Sequence, residues 1–314
     1  MELNQLKKTT IGGQAIIEGL LMIGPENSAI AIRKPNGEII VTKKNIAQNG
    51  NMSKVPFIRG IVNIFKQVTL GIDALMYSSS FIDLDYGDNE KPSKIEKYLD
   101  KIFGDKIKDV MMYASLGISF VFAIGIFILL PNITANMIHF NKNTSLGSIY
   151  YNLIEGIIRI VLFIAYLILV SKMKDVQRLW QYHGAEHKTI HCYENEKELT
   201  IENVKLFSTR HPRCGTSFLF TVMVISILVF SFAGWHNPLI NVLIRILLIP
   251  VVASISYEII KFAGKSNFSI VNTINAPGIF FQRFTTREPD DSQIEVAIEA
   301  LKSVLPEDKN VDEW

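Results

Sequence analysis

The sequence predicts a mainly α integral membrane protein: a four-helix transmembrane bundle with cytoplasmic α+β portions, including a short N-terminal β-hairpin. Three observations carry this expectation. Four apolar runs, near residues 110–130, 153–170, 218–235 and 239–257, approach or reach the roughly 20 residues that cross a bilayer core. The net charge is only +2 over 314 residues, too little basic excess to displace the counterions of a nucleic acid. Four of the six histidines and both cysteines fall between Gln181 and Cys214, a concentration of metal-capable side chains in one inter-span loop. Two cysteines make no disulfide framework. The first residues, MELNQLKKTTIGGQ, lack the apolar core of a cleaved signal peptide.

Residues 1–54 are expected to form a cytoplasmic N-terminal segment. Ile30–Arg33 and Glu38–Thr42 flank Lys34-Pro35-Asn36-Gly37, a turn signal between two β-prone runs that predicts a hairpin. Ahead of it lies GGQAIIEGLLMIGP, whose paired glycines permit positive φ or the close approach of a neighbour. Glu18 stands alone in this apolar patch, as a solvent-facing residue on a half-buried strand or as a site carboxylate. Residues 55–109 read as an amphipathic helix followed by a charged linker. Ile58, Ile61, Val62, Phe65, Val68, Ile72, Leu75 and Met76 recur at helical spacing. Arg59, Lys66 and Asp73 would set charge at several bilayer depths, so Val55–Phe81 is expected on the membrane surface or on the bundle. Asp83–Lys108 is dense in charge and reads as a solvated linker or short helix.

The membrane domain spans 110–258. Its first run is closed by Pro131, and its third and fourth are joined by a tight turn around His236-Asn237-Pro238, which makes them antiparallel. Glu155 and Arg159, one helical turn apart, are expected to pair. Arg245, a charge inside the fourth run, demands a partner, and Glu155 is the one expected. His139 and His236 are placed on the far side, at the interface. The second span is expected to continue as one helix through Lys174 and Arg178 into the histidine row. Leu199–Phe207 reads as a polar helix or strand. In the tail, 259–314, the stretch Asn275–Pro289 fits no regular element. Asp290 or Asp291 then starts a final helix with an apolar face of Ile294, Val296, Ala297, Ile298, Ala300 and Leu301.

Basic residues give an orientation. The arm before the first span holds 15 Lys and Arg, the loop 131–152 only Lys142, Ser171–Ser217 eight, and the tail after Glu258 six. By the positive-inside rule both termini and the His/Cys loop, 172–217, face the cytoplasm of a multi-pass protein of the cell membrane. Reduced cysteines fit that side. Membrane lipid is then the implied surrounding, nucleic acid is no partner, and homo-oligomerisation stays open.

The chemistry concentrates in QYHGAEHKTIHCYE and HPRC. If Arg178–Glu194 is helical, His183 and His187 share one face, a turn apart, and two imidazoles so placed can hold one tetrahedral ion. With Glu186 between them the string also reads H-x-x-E-H, a zinc-hydrolase order. His191 extends the row, yet it lies roughly 12 Å from His183 at 1.5 Å per residue, too far to share that ion. Cys214, beside Arg213 and at the start of the third span, is placed where thiol pKa values fall, with Thr216 or Ser217 as a cap. Glu258 ends the fourth span at the same boundary, and Cys214 or Glu258 is expected in the same pocket, with Glu18 nearby. Candidate Zn²⁺ or other divalent-metal ligands are therefore His183, His187, His191, His211 and Cys214, with Glu194 or Glu258 as further choices. Glu186 or Glu258 is the candidate general base.

GGQAIIEG, HGAEHKTIHCYE, HPRCGTSF, SYEIIK and PGIFFQRFTTREP together resemble a bacterial membrane family typified by YqhQ, over nearly the whole chain. That resemblance implies a membrane protein of a group described as predicted metal-dependent enzymes. Three functions follow as expectations. The first is a metal-dependent hydrolase acting at the cytoplasmic membrane surface. The second is a hydrolase with Cys214 as nucleophile, activated by His183 or His187, with Arg213 or Arg283 holding an anionic group. The third is a non-enzymatic, metal-stabilised scaffold, assembly factor or transporter, of which transport is the weakest because four short spans leave little room for a pore.

Overall fold

In the computed structural model residues 7–46, 55–81, 107–138, 144–265, 269–308 and 311–312 are described. Most of the charged stretch 83–108 and His139 lie outside them. The chain is mainly helical and forms two compact units, one of Met1–Ile82, Ala165–Ser226 and Ile249–Trp314, the other of Asp83–Ile164 and Ile227–Leu248.

The first unit opens with four strands where one hairpin was expected: β1 (Gly12–Ile16), β2 (Gly19–Ile23), β3 (Asn27–Arg33) and β4 (Ile39–Asn45). They pair antiparallel in sequence order, so β1 is an edge. The predicted hairpin is β3–β4, with Gly37 at φ 87 in its turn. The unforeseen one is β1–β2, with Ile16 opposite Gly19 across the two-residue turn Ile17-Glu18. Glu18 occupies that turn at φ 51, a left-handed conformation unusual for a residue with a side chain. A continuous apolar run without polar alternation hid these strands, because both faces of the sheet are covered.

One face carries Leu20, Met22, Ala29 and Ala31 against Tyr182, Ala185, Ile190, Val296, Ala300 and Leu301. The other carries Ile16, Leu21, Ile30 and Ile32 against Ala74 of α1 (Ile58–Ser79). The expected amphipathic helix is therefore α1. Its first half packs on the end of a membrane-length helix: a Cβ at Gly60 would stand 3.0 Å from the Tyr257 Cβ. Its second half packs on the sheet, where Gly71 meets the Gln14 side chain.

Among the described residues four helices are long and apolar enough to cross a membrane: Tyr113–Asn136, Ser145–Val170, Gly215–Ala233 and Pro238–Ala263. The first does not end at Pro131. It runs through α2 (Ile107–Ile124), a π-helical turn (Gly125–Leu129) and α3 (Leu130–Asn136). Proline supplies no N–H and its ring crowds the carbonyl four residues back. That carbonyl, Phe127 O, accepts instead from Arg159 Nε at 2.8 Å. Arg159 lies on α4 (Ser145–Val170), and its Nη2 also donates to Glu155 Oε1 at 2.7 Å. The other Glu155 oxygen accepts from Arg245, so the expected pair is present and enlarged to a buried carboxylate between two guanidinium groups.

α4 and the histidine helix are separate, contrary to expectation. Ser171–Met173 breaks the helix, and α5 (Lys174–Glu194) starts afresh from an extended Met173. The Ser171 carbonyl accepts from the side chains of Gln177 (3.0 Å) and Arg287 (3.1 Å). α6 (Ile201–Lys205) is capped by the Thr200 hydroxyl. α7 (Gly215–Ala233) ends before Gly234 at φ 76, and α8 (Pro238–Lys265) follows the predicted tight turn. The tail stretch with no expected element is largely α9 (Ser269–Thr285), helical through Pro277. There Gly278 lets the helix approach Ser217 closely and Phe281 packs on Phe220, tertiary contacts that override two breaker residues. The final helix, α10 (Asp291–Lys302), begins with a capping box between Asp290 and Gln293.

Candidate metal centre

α5 is a polar helix, yet from Gly184 to Cys192 every residue is buried. Buried polar groups cost free energy unless each finds a partner. The partners sort its side chains into two groups.

The first group is His183, His187 and Cys214, whose potential ligand atoms all lie within 4.8 Å of one another. The His183 and His187 rings are 4.4 Å apart, centroid to centroid. His183 Nδ1–H donates to the Thr285 carbonyl at 2.8 Å, and His187 Nδ1–H to the Thr209 carbonyl at 2.6 Å. Both bonds fix the tautomer, leaving each Nε2 with its lone pair free. His183 Nε2 lies 3.2 Å from Cys214 Sγ. Cys214 directly precedes α7, where its sulfur accepts from the Thr216 amide at 3.4 Å and meets the Thr216 hydroxyl at 2.9 Å. The cap of α7 is thus the thiol itself, not Thr216 or Ser217. Burial alone would raise this thiol, but His187 and Thr216 hold it below its ordinary value. Burial holds the His187 imidazole down at about 4, so it is neutral and fit to be a ligand.

Glu186 directly precedes His187 on α5. Its Oε1 accepts the Gly13 amide at 2.8 Å, and its Oε2, fully buried, has no hydrogen-bond partner among the described residues. Burial, with Cys214 adding to it, pushes the carboxyl up to about 7 against the opposing pull of His183 and the Gly13 amide.

The second group is His191, Glu194 and His211. Its hydrogen bonds are closed among protein groups. His191 Nε2 donates to the Arg210 carbonyl at 2.8 Å. His211 donates through Nε2 to Glu194 Oε2 at 3.1 Å and accepts the Arg213 amide on Nδ1 at 3.3 Å. Glu194 Oε1 takes the Arg213 guanidinium and the Thr9 amide. This network anchors the His211–Cys214 loop beside the first group.

Of the two alternatives for the pocket, Glu258 is bound elsewhere, while Glu18 lies beside α5 next to His183. Glu258 is held by Arg59, Nε to Oε1 at 2.8 Å and Nη2 to Oε2 at 2.5 Å, and also accepts the Phe57 amide. An arginine on α1 outcompetes the site for this carboxylate because the bidentate geometry is complete. Glu18 pairs with Arg178 and accepts from the Tyr182 hydroxyl at 3.3 Å. It braces α5 one turn before His183.

With this geometry in view, two comparisons place the chain. The family model described as a protein of unknown function, DUF1385, matches residues 55–307. The chain belongs to this family. It is similar to the uncharacterised protein YqhQ of Bacillus subtilis, 33% identical over 304 residues, 94% of this chain and 92% of that one. No solved structure matches it. The family match begins at residue 55, so the Gly13 amide that holds Glu186 comes from a part of the chain outside that match.

Sequence reasoning did not find the Thr209 and Thr285 carbonyls or the Gly13 amide, because main-chain partners carry no residue signature. The paired glycines at 12–13 were the available hint. A Cβ at Gly13 would lie 3.1 Å from the Glu186 carboxyl carbon.

Proposed function

We propose that this chain is a metal-dependent hydrolase of the cell membrane, with both termini and its site on the cytoplasmic side. The observation that carries it is the pair of inward-turned imidazole Nε2 atoms of His183 and His187 beside Cys214 Sγ, each oriented by a main-chain carbonyl. Two nitrogens and a thiolate suit Zn²⁺, and three protein ligands leave a fourth position open, as in catalytic sites. A divalent ion there would supply Lewis acidity and a lowered pKa for water. Glu186, with one oxygen fixed by Gly13 and the other unpartnered, is placed to take and return a proton. The four membrane-length helices and the basic flanks support the membrane placement. The exposed Ile58, Phe65 and Val68 of α1 suit an interfacial helix.

The test is metal analysis of the detergent-purified chain. One equivalent of zinc is expected in the wild type and in His191→Ala, and none in His183→Ala, His187→Ala or Cys214→Ala. Wild-type protein that stays metal-free in excess zinc would overturn the reading. In that event the 3.2 Å approach of His183 Nε2 to Cys214 Sγ favours the second reading, a thiol nucleophile activated by an imidazole. Zinc bound with no vacant position would favour a structural scaffold.

A further inference from the structure

α9 carries one fully buried side-chain amide, Gln282. Its Oε1 accepts the His211 N–H at 2.8 Å, and its Nε2 donates to the His211 carbonyl at 2.7 Å. The side chain thus exchanges both bonds with one residue, as the partner in an antiparallel ladder does. These partners also fix which end of the amide is oxygen, since a backbone N–H can only donate. Nε2 reaches Ser217 Oγ as well, at 3.3 Å. Gln282 therefore holds both ends of the segment His211–Ser217, and Cys214 is its midpoint. The Gln282 main chain is pinned in turn, because its carbonyl accepts the Thr286 amide at 2.9 Å and the Thr286 hydroxyl at 2.8 Å. Contacts of Gly278 with Ser217 and of Phe281 with Phe220 hold α9 against α7 on either side.

All three candidate ligands are oriented from the two sides of this pairing. On the loop side, Thr209 precedes His211 by two residues, and its carbonyl takes His187 Nδ1–H at 2.6 Å. Cys214 follows His211 by three, with its sulfur 3.2 Å from His183 Nε2. On the helix side, Thr285 follows Gln282 by three, and its carbonyl takes His183 Nδ1–H at 2.8 Å. We infer that Gln282 is the positioning residue of the His183, His187 and Cys214 group: its amide locks the loop Thr209–Ser217 to the last turn of α9 and thereby sets the distances among the three ligand atoms. This rests on the metal reading and adds the residue through which the ligand geometry is held. Only a side chain with a donor and an acceptor on one planar group can exchange both bonds. An apolar replacement leaves the His211 N–H and C=O buried without partners, a cost the loop escapes by shifting, and Cys214 shifts with it.

The test titrates the full chain in detergent with Co²⁺. Its thiolate-to-metal charge-transfer absorption reports the bond to Cys214, and its visible bands report tetrahedral geometry. Gln282→Met keeps the side-chain length and loses both bonds to His211. It should bind Co²⁺ at least about tenfold more weakly and lose most of the charge-transfer intensity at saturation. Phe281→Leu loosens α9 at Phe220 and leaves the amide in place, so it should keep the wild-type spectrum and affinity. Gln282→Glu keeps the acceptor for the His211 N–H and loses the donor to its carbonyl. It should weaken binding too, and it decides if Gln282→Met does not fold. Wild-type spectra and affinity in the Gln282 variants, or an equal loss in Phe281→Leu, overturn the inference and leave the metal reading standing. Wild-type protein that takes up no Co²⁺ removes the metal reading. The inference is then decided in the metal-free chain by the rate at which iodoacetamide alkylates Cys214. That rate should change at least about threefold in Gln282→Met and stay unchanged in Phe281→Leu, and equal rates in all three proteins overturn it.

Discussion

Gly184 is where a single methyl group should separate metal affinity from the ligands themselves. The segment after α9 crosses α5 there, with the Arg287 amide donating to the Trp180 carbonyl at 2.9 Å. A Cβ on residue 184 would stand 2.0 Å from the Arg287 carbonyl oxygen, against an ordinary contact of 3.4 Å or more. In Gly184→Ala the segment must therefore withdraw by about 1.4 Å. Thr285, the last residue of α9 and two positions before Arg287, supplies the carbonyl that takes His183 Nδ1–H at 2.8 Å, and a shift of that size carried to it stretches the bond to as much as about 4.2 Å, beyond hydrogen-bond range. Loss of an orienting partner typically lowers metal affinity 10- to 100-fold, while the overpacking itself costs about 1–3 kcal/mol. Competition for zinc against a chromophoric chelator, read alongside a thermal melt, measures both. Gly117→Ala, whose added methyl meets nothing within 4 Å, serves as the neutral control. Zinc affinity within threefold of wild type in Gly184→Ala would refute the claim that the Thr285 carbonyl orients His183.

Three further outcomes are expected. Glu155→Leu should cost on the order of 3–5 kcal/mol, because it leaves Arg159 and Arg245 buried with no carboxylate. Arg245→Leu should cost less, roughly 1.5–3 kcal/mol, since Glu155 keeps Arg159; denaturant melts in micelles showing the reverse order would contradict this arrangement. Of the two thiols, Cys214 should alkylate in the zinc-free protein and be protected by zinc, whereas Cys192 stays inert at pH 8. Burial raises the Cys192 thiol to about 11, so its contribution to stability is complete below pH 9 and is lost as pH rises through 11; stability flat across that window would contradict it. An impermeant maleimide on intact cells should label a cysteine introduced at Asn143 and spare one at Glu198, and the opposite pattern would invert the orientation.

How much of this was legible depended on whether a side chain or the main chain did the work. The apolar runs, the i,i+4 spacing of His183 and His187, the Asp290 cap and the Glu155–Arg245 pair are written in residue types with fixed period or charge. Pro131 misled, because the sequence reports the lost N–H but not that Arg159 takes the freed carbonyl of Phe127. Glu258 misled for a related reason: span length fixes its depth, whereas its partner, Arg59, comes from a helix distant in sequence. Pro277 and Gly278 read as breakers until Ser217 and Phe220 are seen packed against α9. The site's orienting bonds, to Thr209, Thr285 and Gly13, are main-chain contacts that any residue could make.

The core that backs the sheet is discontinuous, and this constrains how the protein can be made. Ile11, Leu20 and Met22 share one cluster with Val296, Ala300 and Leu301, and Asp312 accepts from Lys7, at 2.5 Å, and from the Thr9 hydroxyl, at 2.7 Å. On the ribosome Lys7 emerges 305 residues before Asp312, a wait of roughly 15–60 s at 5–20 residues per second. All four apolar helices are translated during that interval. A nascent sheet with one bare apolar face must therefore be shielded while the membrane-length segments are sorted. The histidine helix cannot be sealed beneath α10 until translation has reached the last turns. Premature stops that spare every candidate ligand should still yield a chain that quality-control proteases recognise.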